Sequence, residues 1–309
     1  MRLLWFAIPN IFRPNTVSAL LIVGMEKETG GQPLRKLQLT FSTFVLLAIA
    51  LIVPPQGLAK QSYAETHNIR YSTSQQLLDL CLPQAPVKKT ALIFIHGGGF
   101  RSGSKEQMQG YCRLFAQGGF VSVTINYRLS PANKFPAALE DTQQAIRWLR
   151  QRAGEYGHDP TKIVVVGYSA GGNLALMAGL AEGSSVAGIV SGAGPTDLRS
   201  LLADTPYKQL KIDLNNYLGG QSPDAASPIF RTSTDDPPVF LLHGDKDLLV
   251  PVSQALGLAQ KLKAEQVPVL LRVFPGAGHE IMLPNKYSRQ LLQEMTRFFL
   301  SLEQAGRRT

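Results

Sequence analysis

Short apolar runs alternate along the chain with segments whose apolar positions recur every three or four residues. His67–Pro83 reads as two short strands joined by a turn, and Thr90–Gly99 (TALIFIHGGG) as a buried strand entering a glycine loop. Lys105–Gly119 has helical spacing and ends on paired glycines, and Phe120–Pro131 opens as the next strand. Pro136–Gly157 predicts one long helix, with proline at its start and glycine at its end. Strand and helix follow again in KIVVVGYS and AGGNLALMAGLA. Two more strands follow, VAGIVSGAG and PVFLLHGD, and then the helix PVSQALGLAQKLKAEQ. VLLRVFPGAG predicts the last strand and NKYSRQLLQEMTRFFLSLEQ the last helix. The strands are apolar at successive positions, not alternate ones. That pattern belongs to a mostly parallel sheet covered by helices on both faces. Asp197–Pro238 is the one long irregular stretch, with helical fragments and many turn residues. In an α/β fold such an insertion reads as a lid or a loop beside the site.

The first 59 residues break the alternation. From Met25, a basic segment leads into the apolar run Leu39–Val53, and PPQGLA then ends in small residues. This is the three-part pattern of a secretory signal peptide, with cleavage expected after Ala59 and residues 60–309 as the catalytic domain. The pattern itself opens at Met25, the expected alternative start, with residues 1–24 upstream of it. The run of 15 residues would span about 22 Å as a helix, short of the roughly 30 Å hydrocarbon core. An uncleaved membrane anchor through Leu39–Val53 is the rival reading. The chain has 309 residues, 44% of them apolar and 17% charged, enough for a large folded domain. Its net charge is +9. Residues 1–59 carry five basic and two acidic residues, leaving 26 basic against 20 acidic, or +6, for the rest. The chain has no dense basic run and no basic stripe interleaved with aromatics, so nucleic-acid binding has no support. The two cysteines, Cys81 and Cys112, cannot make a zinc site by themselves. In an exported protein they form either one disulfide or two buried thiols.

The chemistry gathers at strand ends. Gly167-Tyr168-Ser169-Ala170-Gly171 fits G-x-S-x-G between a strand and a helix, the context of a nucleophile elbow. The plain alternative is a serine capping a helix. A serine hydroxyl needs a base, and the chain offers five histidines. His67 lies in the first strand region, and His158 in a loop feeding the amino end of a strand. His96 and His243 each close a strand. His279, in PGAGHE, sits in a glycine loop past the last strand and fits the order Ser…Asp…His. HGDKDLLVP offers Asp247 as the acid, with Asp245 beside it and Asp197 as an outside candidate. Gly98 and Gly99 of HGGGF, with Ala170, have backbone N–H groups suited to an oxyanion. Gly98 and Gly103 have the spacing of a phosphate loop, but Ser104 stands where that motif needs lysine.

HGGGF, NYRLSP…FPAALED, GYSAGGNLA, HGDKDLLVP and PGAGHE, in that order from about Tyr71 onward, resemble the α/β-hydrolase superfamily. More narrowly, they are similar to bacterial carboxylesterases of the hormone-sensitive-lipase-like and feruloyl or acetyl-xylan-esterase-like types. The resemblance implies an eight-stranded sheet with little or no cap and no cofactor. It implies Ser169 as nucleophile, Asp247 as acid, His279 as base, and an oxyanion hole of Gly98, Gly99 and Ala170. Two departures stand out. Tyr168 replaces the aspartate usual before the serine in the lipase-like branch, and residues 60–309 leave no room for an N-terminal helical cap. Both point to the polysaccharide-side-chain esterases. Asp141 in FPAALED matches a family position and reads as structural. The expected reaction is hydrolysis of short-acyl, aryl or sugar-linked esters, on a small-molecule or saccharide substrate. Arylformamide or peptide hydrolysis on the same scaffold, and a non-catalytic binding protein, are the alternatives.

Overall fold

The computed structural model describes residues 62–84 and 87–305. The leader, the Ala59 cleavage point and the Leu39–Val53 run lie outside these residues. Eight strands form one sheet in the order β1-β2-β4-β3-β5-β6-β7-β8. They are β1 (Tyr63–Arg70), β2 (Leu77–Pro83), β3 (Ala91–Ile95), β4 (Val121–Ile125), β5 (Ile163–Tyr168), β6 (Gly188–Gly192), β7 (Val239–Gly244) and β8 (Val269–Phe274). β1 pairs antiparallel with β2 and β2 antiparallel with β4; from β4 to β8 every pairing is parallel. This is the α/β-hydrolase fold that the motifs imply.

The central strands are buried on both faces, and their side chains divide between two cores. Ile93, Ile95, Ile163 and Val165 point to one side, where they meet α2 (Ala137–Gln151), α4 (Ala170–Gly179) and α7 (Ser253–Ala264). Leu92, Phe94, Val164 and Val166 point to the other, against α1 (Gln109–Gln117) and α8 (Ser288–Ala305). Phe115, Phe120 and Phe299 meet edge to face in this second core, with ring centroids 5.1–6.0 Å apart. The apolar runs are continuous because each strand feeds both layers. The two edge strands are the exceptions: β1 has no fully buried residue, and on β8 Leu270 and Val273 are partly in solvent.

The helix predicted over Pro136–Gly157 breaks at Arg152 into α2 and the single turn α3 (Ala153–Tyr156). The Arg152 N–H donates to Leu149 O, three residues back. The tightened turn stacks the Arg152 guanidinium over Trp148, 4.3 Å from the ring centroid, and leans Tyr156 on the same ring. Gly157, at φ 80°, ends the turn. The Asp197–Pro238 stretch contains two helices, α5 (Leu198–Asp204) and α6 (Lys208–Leu218), followed by two short 3-10 turns. Cys81 on β2 and Cys112 on α1 are joined in a disulfide, their Cα atoms 5.8 Å apart. This decides the question the sequence left open. Among the described residues no helix is long and apolar enough to cross a membrane.

Candidate active site

Ser169 stands where β5 turns into α4. Its backbone lies at φ 54°, ψ −120°, a region that costs a residue with a side chain about 1–3 kcal/mol. The surroundings hold it there. Its N–H donates to Gly192 O on β6 at 2.8 Å. The flanking glycines are needed for close approach: a Cβ on Gly167 would sit 1.9 Å from Gly171 O, and one on Gly171 2.3 Å from Ile95 O. The turn therefore closes on residues without side chains and leaves the serine hydroxyl at the carboxyl edge of the sheet.

The structure brings all three expected side chains together. His279 Nε2 lies 2.8 Å from Ser169 Oγ, and His279 Nδ1 lies 2.7 Å from Asp247 Oδ2. A carboxylate only accepts, so Nδ1 carries the proton and Nε2 is left to accept from the serine. Asp247 is buried at 5% exposure. Its Oδ1 accepts from the N–H groups of Leu249 and Val250, each at 2.9 Å. Burial alone would raise this carboxyl. Hydrogen bonds from His243, His279 and the Val250 N–H overcome that and hold it well below the usual carboxylate range.

The other candidates have other partners. Asp245 accepts from the Gly276 N–H at 2.6 Å and ties the histidine loop to β7. Asp197 caps α5 through the N–H groups of Arg199 and Ser200. His67 lies between Asp79 and Glu65 at the β1 edge. His158 is buried away from the site with neither ring nitrogen bonded among the described residues. Asp141 is structural, accepting from Arg128 and Ser74.

The glycine loop after β3 runs beside Ser169: a Cβ on Gly97 would lie 3.2 Å from Ser169 Cβ. Gly98 takes φ 115° and Gly99 φ 61°. The N–H groups of Gly98, Gly99 and Ala170 donate to no acceptor among the described residues, leaving three donors free at this edge. His96 anchors the loop. Its Nδ1–H donates to Gly97 O at 2.7 Å, and its ring stacks on Tyr127 at 4.3 Å. Burial lowers this imidazole to about 4, so it is neutral at neutral pH.

Four contacts lay beyond sequence reasoning. Helix α6 covers the outer side of the glycine loop: Tyr217 stacks on Phe100 at 3.7 Å, and Arg101 Nε meets Asp213 Oδ1 at 3.1 Å. Asp213 Oδ2 lies 3.7 Å from where a Cβ on Gly99 would stand. The Tyr168 side chain reaches the His279 backbone. His243 lies 3.3 Å from Asp247 Oδ2. The one usable signal was the four-residue spacing of His243 and Asp247. Among the described residues no cluster of three or more His, Cys, Asp or Glu could hold a metal ion.

Known proteins resemble this chain in sequence and in fold. The BD-FAE family model matches residues 78–262. Esterase LipC of Mycobacterium tuberculosis (strain ATCC 25618 / H37Rv) is 34% identical over 253 residues, 72% of this chain and 61% of that protein. The probable carboxylic ester hydrolase LipM of the same strain is 32% identical, over 61% of this chain and 48% of that protein. The chain thus spans less than two thirds of the length of either relative. Among solved structures, a truncated carbohydrate esterase from gut microbiota superposes with a TM-score of 0.68 at 25% identity, covering 80% of this chain and 99% of that one. Propionate-bound esterase 2 of Thermogutta terrifontis gives 0.64 at 26% identity, covering 80% and 96%.

Proposed function

The chain belongs to the BD-FAE family of α/β-hydrolases, and on that premise we propose that it is a serine carboxylesterase acting on short-acyl, aryl or sugar-linked esters through an acyl-enzyme. The observation that carries the reading is the Ser169–His279–Asp247 chain of hydrogen bonds at 2.8 and 2.7 Å. His279 Nε2 takes the hydroxyl proton as Ser169 Oγ attacks the acyl carbonyl. The charge that develops on the carbonyl oxygen is met by the N–H groups of Gly98, Gly99 and Ala170. Such donors are each worth about 3–4 kcal/mol of barrier. The intermediate collapses, and the alcohol leaves with the proton from His279. Water then repeats the sequence on the acyl-enzyme. Asp247 stays ionised throughout and stabilises the imidazolium.

We also propose that the protein is exported after cleavage near Ala59. The leader pattern supports this, and so does the Cys81–Cys112 disulfide, a bond favoured in oxidising compartments. Hydrolysis of p-nitrophenyl acetate and butyrate by the purified protein, beside Ser169→Ala, tests the esterase reading. Turnover that falls by roughly a thousandfold or more in the variant upholds it. A folded wild type inert on both esters overturns it and brings arylformamides and peptides forward.

A further inference from the structure

His243 lies near the end of β7 with its side chain 1% exposed, and it takes no part in the proton transfers above. Its Nε2 lies 2.7 Å from Val250 O and 3.3 Å from Asp247 Oδ2. Both neighbours are acceptors, so Nε2 carries the ring proton and shares it between them. The Val250 N–H meanwhile donates to Asp247 Oδ1. The result is a closed circuit: Val250 holds one carboxylate oxygen through its N–H, and its carbonyl helps hold the imidazole that meets the other oxygen. We propose that His243 is a positioning residue of the catalytic triad, clamping the Asp247 carboxylate and sharing with His279 the oxygen that orients the base.

The proposal rests on the reading of His279 as the base, and its consequence is specific. Without His243, Oδ2 is held by His279 alone, while Oδ1 keeps the Leu249 and Val250 N–H groups. Two donors on one oxygen also draw on the same negative charge. Removing one leaves more of that charge for the His279 imidazolium, so protonation of the base extends to higher pH. The other polar groups around the base are the titratable Tyr168 and the neutral Ser169 hydroxyl from the β5–α4 turn, and Glu280 on its own loop. None of them meets Asp247 Oδ2. A purely structural His243 would peg the loop from Asp245 to Val250 and leave the base unaffected.

The test compares His243→Met, which keeps bulk but lacks the donor, with His243→Gln, which has an amide N–H. The readout is the pH profile of kcat/KM on p-nitrophenyl acetate, with active sites titrated so that unfolded protein drops out. In the methionine variant the acid limb is expected to move to higher pH by roughly 0.5–1 unit. Plateau kcat falls roughly tenfold, the worth of one hydrogen bond to a charged group. The glutamine variant recovers most of both. An acid limb in His243→Met that coincides with the wild type overturns the proposal, whatever happens to thermal stability. If neither variant folds, 15N NMR of the wild type decides through the ring tautomer. A proton on Nε2 is expected, and a proton on Nδ1 alone overturns the clamp. The tautomer does not depend on turnover, so an inert wild type would count against the esterase reading alone.

Discussion

The Tyr168 hydroxyl donates to the carbonyl oxygen of His279 at 3.1 Å, joining residues 111 positions apart. The two rings lie 5.4 Å apart. The residue before Ser169 thus holds the backbone of His279. Burial, followed by the charges of Glu280 and Asp247, raises this phenol far above its ordinary range, so it remains a donor. Tyr168→Phe deletes one hydrogen bond and nothing else. Its expected effect is a several-fold fall in kcat with KM nearly constant, and a stability loss of about 1 kcal/mol. Steady-state kinetics beside urea denaturation measures both. A change in KM alone would mean the hydroxyl serves the substrate and not the loop.

His96 makes the fold sensitive to mild acid. Its folded value of about 4 lies below the ordinary 6.5 because burial opposes the charge. Between those values the unfolded chain binds a proton and the folded one does not. Stability therefore falls as pH drops through the window, by on the order of 3 kcal/mol. Urea midpoints at several pH values from 7 to 4.5 should show a slope that His96→Asn reduces. Parallel slopes would rule out this histidine as the source.

The disulfide between Cys81 and Cys112 closes 31 residues. Loop-closure entropy gives its removal a cost of about 3–4 kcal/mol, or roughly 10 °C in a domain of this size. Thermal melts of Cys81→Ala/Cys112→Ala against the oxidised wild type read it directly. The ester activity of the folded variant should hardly change, because the bridge lies between β2 and α1, away from the carboxyl edge of β5.

Arg101 and Asp213 form a charge pair beside the glycine loop. Arg101→Ala leaves the Asp213 carboxylate uncompensated near Gly99, where it opposes a developing oxyanion. A kcat loss of roughly five- to tenfold is expected, partly recovered in Arg101→Ala/Asp213→Asn. Additive losses in that double-mutant cycle would mean the pair acts by packing alone.

The grouping of Ser169, His279 and Asp247 was legible because each member sits in a motif whose local geometry is nearly closed. The glycines around Ser169 admit one tight turn, and strand ends announce themselves where apolar runs stop. His279 and Asp247 follow from chain order. The sheet was legible for the same reason: β3, β5, β6 and β7 are apolar at successive positions because both faces are covered. What escaped depends on partners distant in sequence. Arg101 and Asp213 are each unremarkable until α6 folds over the glycine loop. The Arg152 break comes from Trp148 and Tyr156 packing together, which a helical period cannot express. His243 read as the end of a strand because its role lies in the two acceptors that the next loop returns to it.

Helix α6 belongs to the segment between β6 and β7, the part of the chain least constrained by the sheet. Yet its Tyr217 and Asp213 press on the loop whose N–H groups would receive the oxyanion. On the proposed esterase reading, selectivity and turnover would therefore be mechanically joined. A change in that segment would also displace the donors behind it. New substrates should come with altered rates on old ones, and exchanging the segment between relatives should transfer both together.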